Sequence, residues 1–186
     1  MNKIIIGFIG KLSSGKGTAC SYLVEKYQAQ IVMFSQSLRD ILDRVYLSHT
    51  RENMQKLSQI LREHFSQDIL ANIAAEDAKK VEAEIVAIDG VRRPKDLEYL
   101  RRMPNFFLVS IEADQEIRYQ RMLRRGQNPG ESAGELTFEQ FQKNESAEAE
   151  SLIDEVARVA KFKINNNGTK EDLYQRVEDI VKQARG

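Results

Sequence analysis

One cysteine, Cys20, stands in the whole chain of 186 residues. No internal disulfide can form, and no cluster of thiolates can hold a metal. Tryptophan is absent, and the prolines are only Pro94, Pro104 and Pro129, so no proline-rich linker divides the chain. Charge of one sign is also lacking: 28 Lys and Arg balance 28 Asp and Glu. A general nucleic-acid binder carries a basic excess, so no DNA or RNA partner is expected. No apolar run reaches the length of a membrane span, and Met1-Asn2-Lys3 leads into a strand rather than a secretory core, so no membrane partner is expected either. These absences describe a soluble, cytoplasmic protein. Its length is that of one domain, 1–186, and no repeat or low-complexity tract interrupts it.

What is present is alternation. Ile4 to Ile9 is a continuous apolar run, as expected of a strand buried on both faces. Similar short runs stand at 31–34, 84–89, 106–111 and 161–164. Between them lie stretches of helical spacing: Thr18 to Tyr27, a helix capped by Ser37 and running through Leu47, and two more opening at Thr50 and Ser66. Others start at Pro94, near Ile117, at the Thr137–Gln140 capping box and at Thr169. Strand and helix in turn predict an α/β fold of three layers, a parallel sheet with helices on both faces. Ligands of such sheets bind beyond the carboxyl ends of the strands, which points to the loops after Ile9, Phe34, Ile88, Ile111 and Ile164.

The first of these loops carries the sharpest signal. It reads Gly10-x-x-x-x-Gly15-Lys16-Gly17-Thr18 between a buried strand and a helix. Glycines let the backbone bend so that N–H groups at a helix start converge on phosphate oxygens, and a lysine adds a full charge. Gly10, Ser13, Ser14, Gly15, Lys16, Gly17 and Thr18 are therefore candidate ATP-binding residues. The usual Ser or Thr after the lysine is replaced here by Gly17. Asp89 ends a buried strand, where a carboxylate can meet a magnesium-bound water. Arg92 and Arg93 follow in the same turn. Arg118, Arg121 and Arg125 fall along one helix face before a glycine-rich stretch, 126–136.

The "GKGT" stretch resembles the loop of adenylate kinase and its relatives, which also carry glycine after the lysine. The turn "DGVRRP" is similar to the Asp-Gly-Phe-Pro-Arg of that family and to the Asp-Gly-Ile-Arg of an archaeal group of nucleotide-kinase-like proteins. The first alignment selects Arg93 and the second Arg92, and both stay open. "FSQSLRD" is similar to the acceptor turn of phage-type deoxynucleoside monophosphate kinases, with Arg39 in the phosphate-binding place. The resemblance implies a P-loop NTPase fold with five parallel strands ordered 2-3-1-4-5, and phosphoryl transfer from ATP with Mg2+ to a small phosphorylated acceptor, most simply a nucleoside monophosphate. It implies that Lys16, Arg92, Arg121 and Arg125 are catalytic and that Thr18 and Asp89 attend the metal. Asn167 and Gly168 would line the adenine pocket, and Arg39, Arg92 and Arg93 the acceptor site. Acceptor helices are expected at about 35–82 and a lid at about 118–137, in a monomer or homodimer. A dephospho-coenzyme A kinase and an ATP-binding regulatory module with little turnover are the alternatives.

Overall fold

The computed structural model describes residues 3–125, 137–145 and 148–186, leaving aside the side chains of residues 125, 144 and 148–151. In chain order the elements are β1 (Ile4–Ile9), α1 (Lys16–Tyr27), β2 (Gln30–Met33), α2 (Phe34–Arg44), α3 (Arg51–His64), α4 (Ile69–Lys80) and β3 (Ile85–Asp89). Then come α5 (Pro94–Leu100), β4 (Phe106–Glu112), α6 (Gln115–Arg125), α7 (Phe138–Glu145), α8 (Glu148–Arg158), β5 (Phe162–Asn165) and α9 (Lys170–Arg185). The five strands are parallel and ordered β2-β3-β1-β4-β5. The parallel sheet is what the alternation of strand and helix predicts, and the strand order is the one the family resemblance implies.

The pleat of the central strand makes two cores. Side chains alternate across a strand, so Ile4, Ile6 and Phe8 enter the core shared with α1 and α9, while Ile5 and Ile9 enter the one shared with α2, α4, α5 and α8. Both faces of β1 are covered, and all six of its residues are buried. That is why the strand reads as an unbroken apolar run rather than an alternating one. On α4, Ala71, Ala74, Ala75 and Ala78 form the buried stripe at helical spacing.

The register aligns the carboxyl ends. Phe8 and Met33 both pair with Asp89, Ile9 pairs with Ser110, and Glu112 pairs with Asn165. The five following loops therefore open on one edge.

Three helix boundaries depart from expectation. α2 begins at Phe34, directly after β2, and Ser37 lies inside it with its hydroxyl donating to Phe34 O at 2.9 Å. A serine hydroxyl satisfies itself on the preceding turn as readily as it caps, and the buried Phe34 ring holds the helix start in the core. The helix ends at Arg44, because Tyr46 turns left-handed at φ 58. α4 starts after Asp68 rather than at Ser66, whose hydroxyl is hydrogen-bonded to the Asp68 carboxylate. Thr50 and Thr169 cap as expected, accepting from Asn53 N and Asp172 N. Among the described residues no helix is long and apolar enough to cross a membrane.

Candidate active site

The loop between β1 and α1 wraps onto itself. Ser14 N donates to Lys11 O at 3.2 Å, and Ser13 takes a left-handed backbone at φ 59. A Cβ on Gly10 would stand 2.2 Å from Ile111 O and 2.6 Å from Ser14 Oγ, so only glycine lets the loop pass the end of β4. Gly15 sits at the N-cap of α1 with φ 115, and a Cβ there would stand 2.3 Å from Asn166 Nδ2. Gly17 differs: it is exposed, and an added Cβ would meet nothing within 4 Å. Its bareness answers no steric demand from the protein itself.

Lys16 folds back over this cradle, its Nζ donating to Gly10 O at 2.6 Å and to Lys11 O at 3.1 Å. Ser14 Oγ is buried without a hydrogen-bond partner among the described residues. A buried, unsatisfied hydroxyl is costly, and this one lies beside Gly10 in the loop that leads into α1, whose helix start has the chemistry that receives phosphate.

The loop is held from both sides. Lys11 Nζ pairs with Asp154 of α8 at 2.9 Å. From α6, Arg118 donates to Leu12 O at 3.3 Å and to Ala113 O at 2.9 Å, and pairs with Glu145 of α7. Burial pushes the Glu145 carboxyl up, but hydrogen bonds from Arg118 and Gln115 outweigh it and hold it below its ordinary value. The arginine row thus divides. Arg118 is a buried clamp between α6, α7 and the glycine loop, Arg124 is exposed, and Arg121 is half-buried with Nη2 at 3.4 Å from Gly168 O. The side chain of Arg125 and the stretch 126–136, where the lid is expected, lie outside the described residues.

On the other flank, Asp89 is half-buried at the end of β3, next to Phe8 of β1. The turn after it carries the exposed Arg92 and the half-buried Arg93. Arg39 is half-buried on α2, with Nη1 bonded to Ser35 Oγ at 3.0 Å. The Arg92–Arg93 turn and α2, the helix that carries Arg39, follow adjacent strands and meet where they begin: a Cβ on Gly90 would lie 2.9 Å from Phe34 Cβ.

The family model of the AAA domain matches residues 10–133, from the first glycine of the loop through α6. The chain belongs to the AAA domain family. This AAA domain is similar along nearly its whole length to archaeal proteins named UPF0200. It is 28% identical to that of Sulfurisphaera tokodaii over 180 residues, 96% of each chain, and 27% identical to that of Methanoregula boonei over 180 residues, 95% of each. Its backbone is similar to shikimate kinase from Bacteroides thetaiotaomicron, with a TM-score of 0.64 at 10% identity over 98% of this chain and 99% of that one. A gluconokinase from Sinorhizobium meliloti gives a TM-score of 0.53 at 12% identity over 99% of this chain and 94% of that one. At such identities the likeness is one of fold: the kinase-like P-loop architecture.

Two further features complete the site of this AAA domain. Among the described residues no group of three His, Cys, Asp or Glu side chains is placed to cage a metal. A magnesium ion would take most of its oxygens from nucleotide phosphates and water, as this ion usually does. Thr18 and Asp89, the residues expected at the metal, are both half-buried. Cys20, one turn along α1, has its thiol pushed up to about 12 by burial first and then by the charge of Asp89, with Lys16 pulling it down. One thiol therefore feels both the loop lysine and the strand-end carboxylate, and it is itself inert.

Asn166 is the residue sequence reasoning missed. It is buried, its Nδ2 donates to Ser14 O at 2.7 Å, and its N–H donates to Glu112 O at 2.7 Å. The expected Asn167 instead accepts from Asp114 N at 2.8 Å, and Gly168 lies beside Arg121. The signal was the strand period. Ile164 points into the α1 core, so two residues on, Asn166 faces the glycine loop.

Proposed function

We propose that this chain transfers the γ-phosphoryl group of Mg-ATP to a small phosphorylated acceptor, a nucleoside monophosphate. The observation that carries the reading is the contact between the start of α2, the helix of Arg39, and the Arg92–Arg93 turn after β3, together with a glycine loop that holds an orphaned buried hydroxyl. Two cations suit a phosphate monoester, which accepts charge-assisted hydrogen bonds from both. An unphosphorylated acceptor would leave them unpaired in a drying site, which is costly.

Lys16 and the loop N–H groups would hold the donor phosphates. Lys16 would exchange its bonds to the Gly10 and Lys11 carbonyls for phosphate oxygens. Thr18 and Asp89 would hold magnesium, which neutralises charge developing on the transferred group. The donor nucleoside would lie along the Asn167–Gly168 turn. Arg121, beside Gly168, and Arg125, four residues on, would serve the transition-state charge. Arg39 with Arg92 or Arg93 would hold the acceptor. Protein groups in such transfer chiefly position and neutralise.

The test is ADP release from Mg-ATP with AMP, CMP, GMP, UMP and dTMP, the matching nucleosides, dephospho-coenzyme A, shikimate and gluconate. Turnover with at least one monophosphate and none with the nucleosides is expected. Turnover with dephospho-coenzyme A alone would redirect the acceptor. ATP binding without turnover on any acceptor would favour a regulatory module.

A further inference from the structure

Arg62 is the one buried residue of α3 among those described, and it faces a carboxylate with no exposure at all. Its Nη1 donates to Asp96 Oδ1 at 2.9 Å and also to the Gln67 carbonyl. The other oxygen of Asp96 accepts from the backbone: Arg93 N at 3.2 Å and Arg92 N at 3.4 Å. Gln67 Nε2 returns a bond to Arg62 O at 3.2 Å. One carboxylate thus joins the end of α3, the α3–α4 turn and the two amides of the arginine turn.

As a stabilising device the arrangement is poor. Arg62 Nε is buried with no hydrogen-bond partner among the described residues. A buried ion pair commonly gains nothing over apolar residues of the same volume. What it supplies is geometry. Asp96 sits in the first turn of α5, where a carboxylate is favoured by the free N–H groups. From there it fixes the backbone from which Arg92 and Arg93 project. On the opposite side Gly90 rests against Phe34, the first residue of the helix that carries Arg39.

We infer that the Arg62–Asp96 pair is a positioning device for acceptor binding, tying α3 to the Arg92–Arg93 turn so that the turn's cations keep their place relative to Arg39. The inference rests on the monophosphate reading and deepens it: the acceptor helices and the arginine turn bind as one body. Neither residue touches the glycine loop in any described contact, so the donor site is independent of the pair. Misplacing a positioning group by about 1 Å can cost about a hundredfold.

The test is a double variant, Arg62→Met with Asp96→Leu, which replaces the pair by apolar groups and removes the acceptor of both turn amides. Asp96→Asn, which keeps the shape, is made beside it in case the double variant does not fold. Tyr99→Phe is the control: it removes a different bond between α5 and α4, Tyr99 OH to Asn72 Oδ1 at 2.9 Å. The wild type and the three variants are assayed with Mg-ATP and AMP, CMP, GMP, UMP and dTMP, and ATP affinity is measured by titration. The expected result is an acceptor KM raised about tenfold or more in the double variant and in Asp96→Asn. ATP affinity should stay within threefold of wild type, and Tyr99→Phe should be unchanged. Folded variants with wild-type acceptor KM would overturn the inference while leaving the proposed function standing. Equal losses in acceptor KM and ATP affinity would reduce the pair to a structural role and overturn it too. A wild type that uses none of the monophosphates takes down both.

Discussion

Substituting Gly17 separates what the glycine loop needs in order to fold from what it needs in order to bind. Gly17 lies in the first turn of α1 with helical backbone, is exposed, and has no atom within 4 Å of an added Cβ. Alanine there should relieve the unfolded chain of entropy and stabilise the protein by about 0.4–1 kcal/mol. For a chain of this size that is a rise in Tm of about 1 to 4 °C. The methyl group would nevertheless stand where the donor phosphates approach the helix start, displacing them by a fraction of an ångström to an ångström. Turnover should fall about ten- to a hundredfold. Gly10→Ala makes the contrast: its Cβ would stand 2.2 Å from a backbone oxygen, so the β4 end must shift, at a cost of about 1–3 kcal/mol. Differential scanning calorimetry and steady-state ADP release on the two variants are the assay. A Gly17→Ala protein that is both more stable and fully active would refute the idea that a ligand occupies this space. A destabilised one would refute the reading that the space beside Gly17 is open.

Lys16→Ala should leave the fold intact and lower turnover by about a hundredfold or more, since one cation leaves the phosphate cradle; circular dichroism and ADP release check it, and normal turnover would move the site elsewhere. Asn166→Ala strands the Ser14 carbonyl without its donor and should cost about 1–3 kcal/mol in urea unfolding, with weaker ATP binding; an unchanged unfolding midpoint would make the amide bridge incidental. The Cys20 thiol goes from 9.0 in the open chain to about 12 when folded, so the unfolded state loses its proton first. Its contribution should be complete below pH 9.0 and decline by up to about 1.4 kcal/mol per pH unit between 9.0 and about 12. Urea unfolding of wild type and Cys20→Ala across that range should show a shallower decline in the variant, and parallel curves would contradict the buried thiol's shift.

The strands were legible because burial on both faces leaves nothing but apolar residues in β1, and the glycine loop because phosphate chemistry restricts its residues. The contacts that assemble the site were less so. Asn165, Asn166 and Asn167 are chemically identical, and only the alternation carried past the end of β5 separates the buried Asn166 from its neighbours. Ser37 has the residue type of a cap, yet its hydroxyl is served by the turn before it. Arg118 shares a helix face with Arg121, and what makes it a clamp is Glu145, 27 residues away across the stretch where the lid is expected. The Arg62–Asp96 pair spans 34 residues and three loops. Local patterns carry the period of a helix or strand. They carry no record of which two charges tertiary packing shuts away together.

The central claim is transfer of a phosphoryl group between two nucleotides, and phosphorus NMR of the reaction observes it directly. The protein is incubated with Mg-ATP and, in turn, each of AMP, CMP, GMP, UMP and dTMP, and the spectrum is followed in time. The account predicts that for at least one acceptor the monophosphate resonance and the γ resonance of ATP decline together while nucleoside diphosphate resonances grow, and that Lys16→Ala slows the change by about a hundredfold or more. Growth of inorganic phosphate alone, or a spectrum that stays still with every acceptor while ATP is bound, would contradict it.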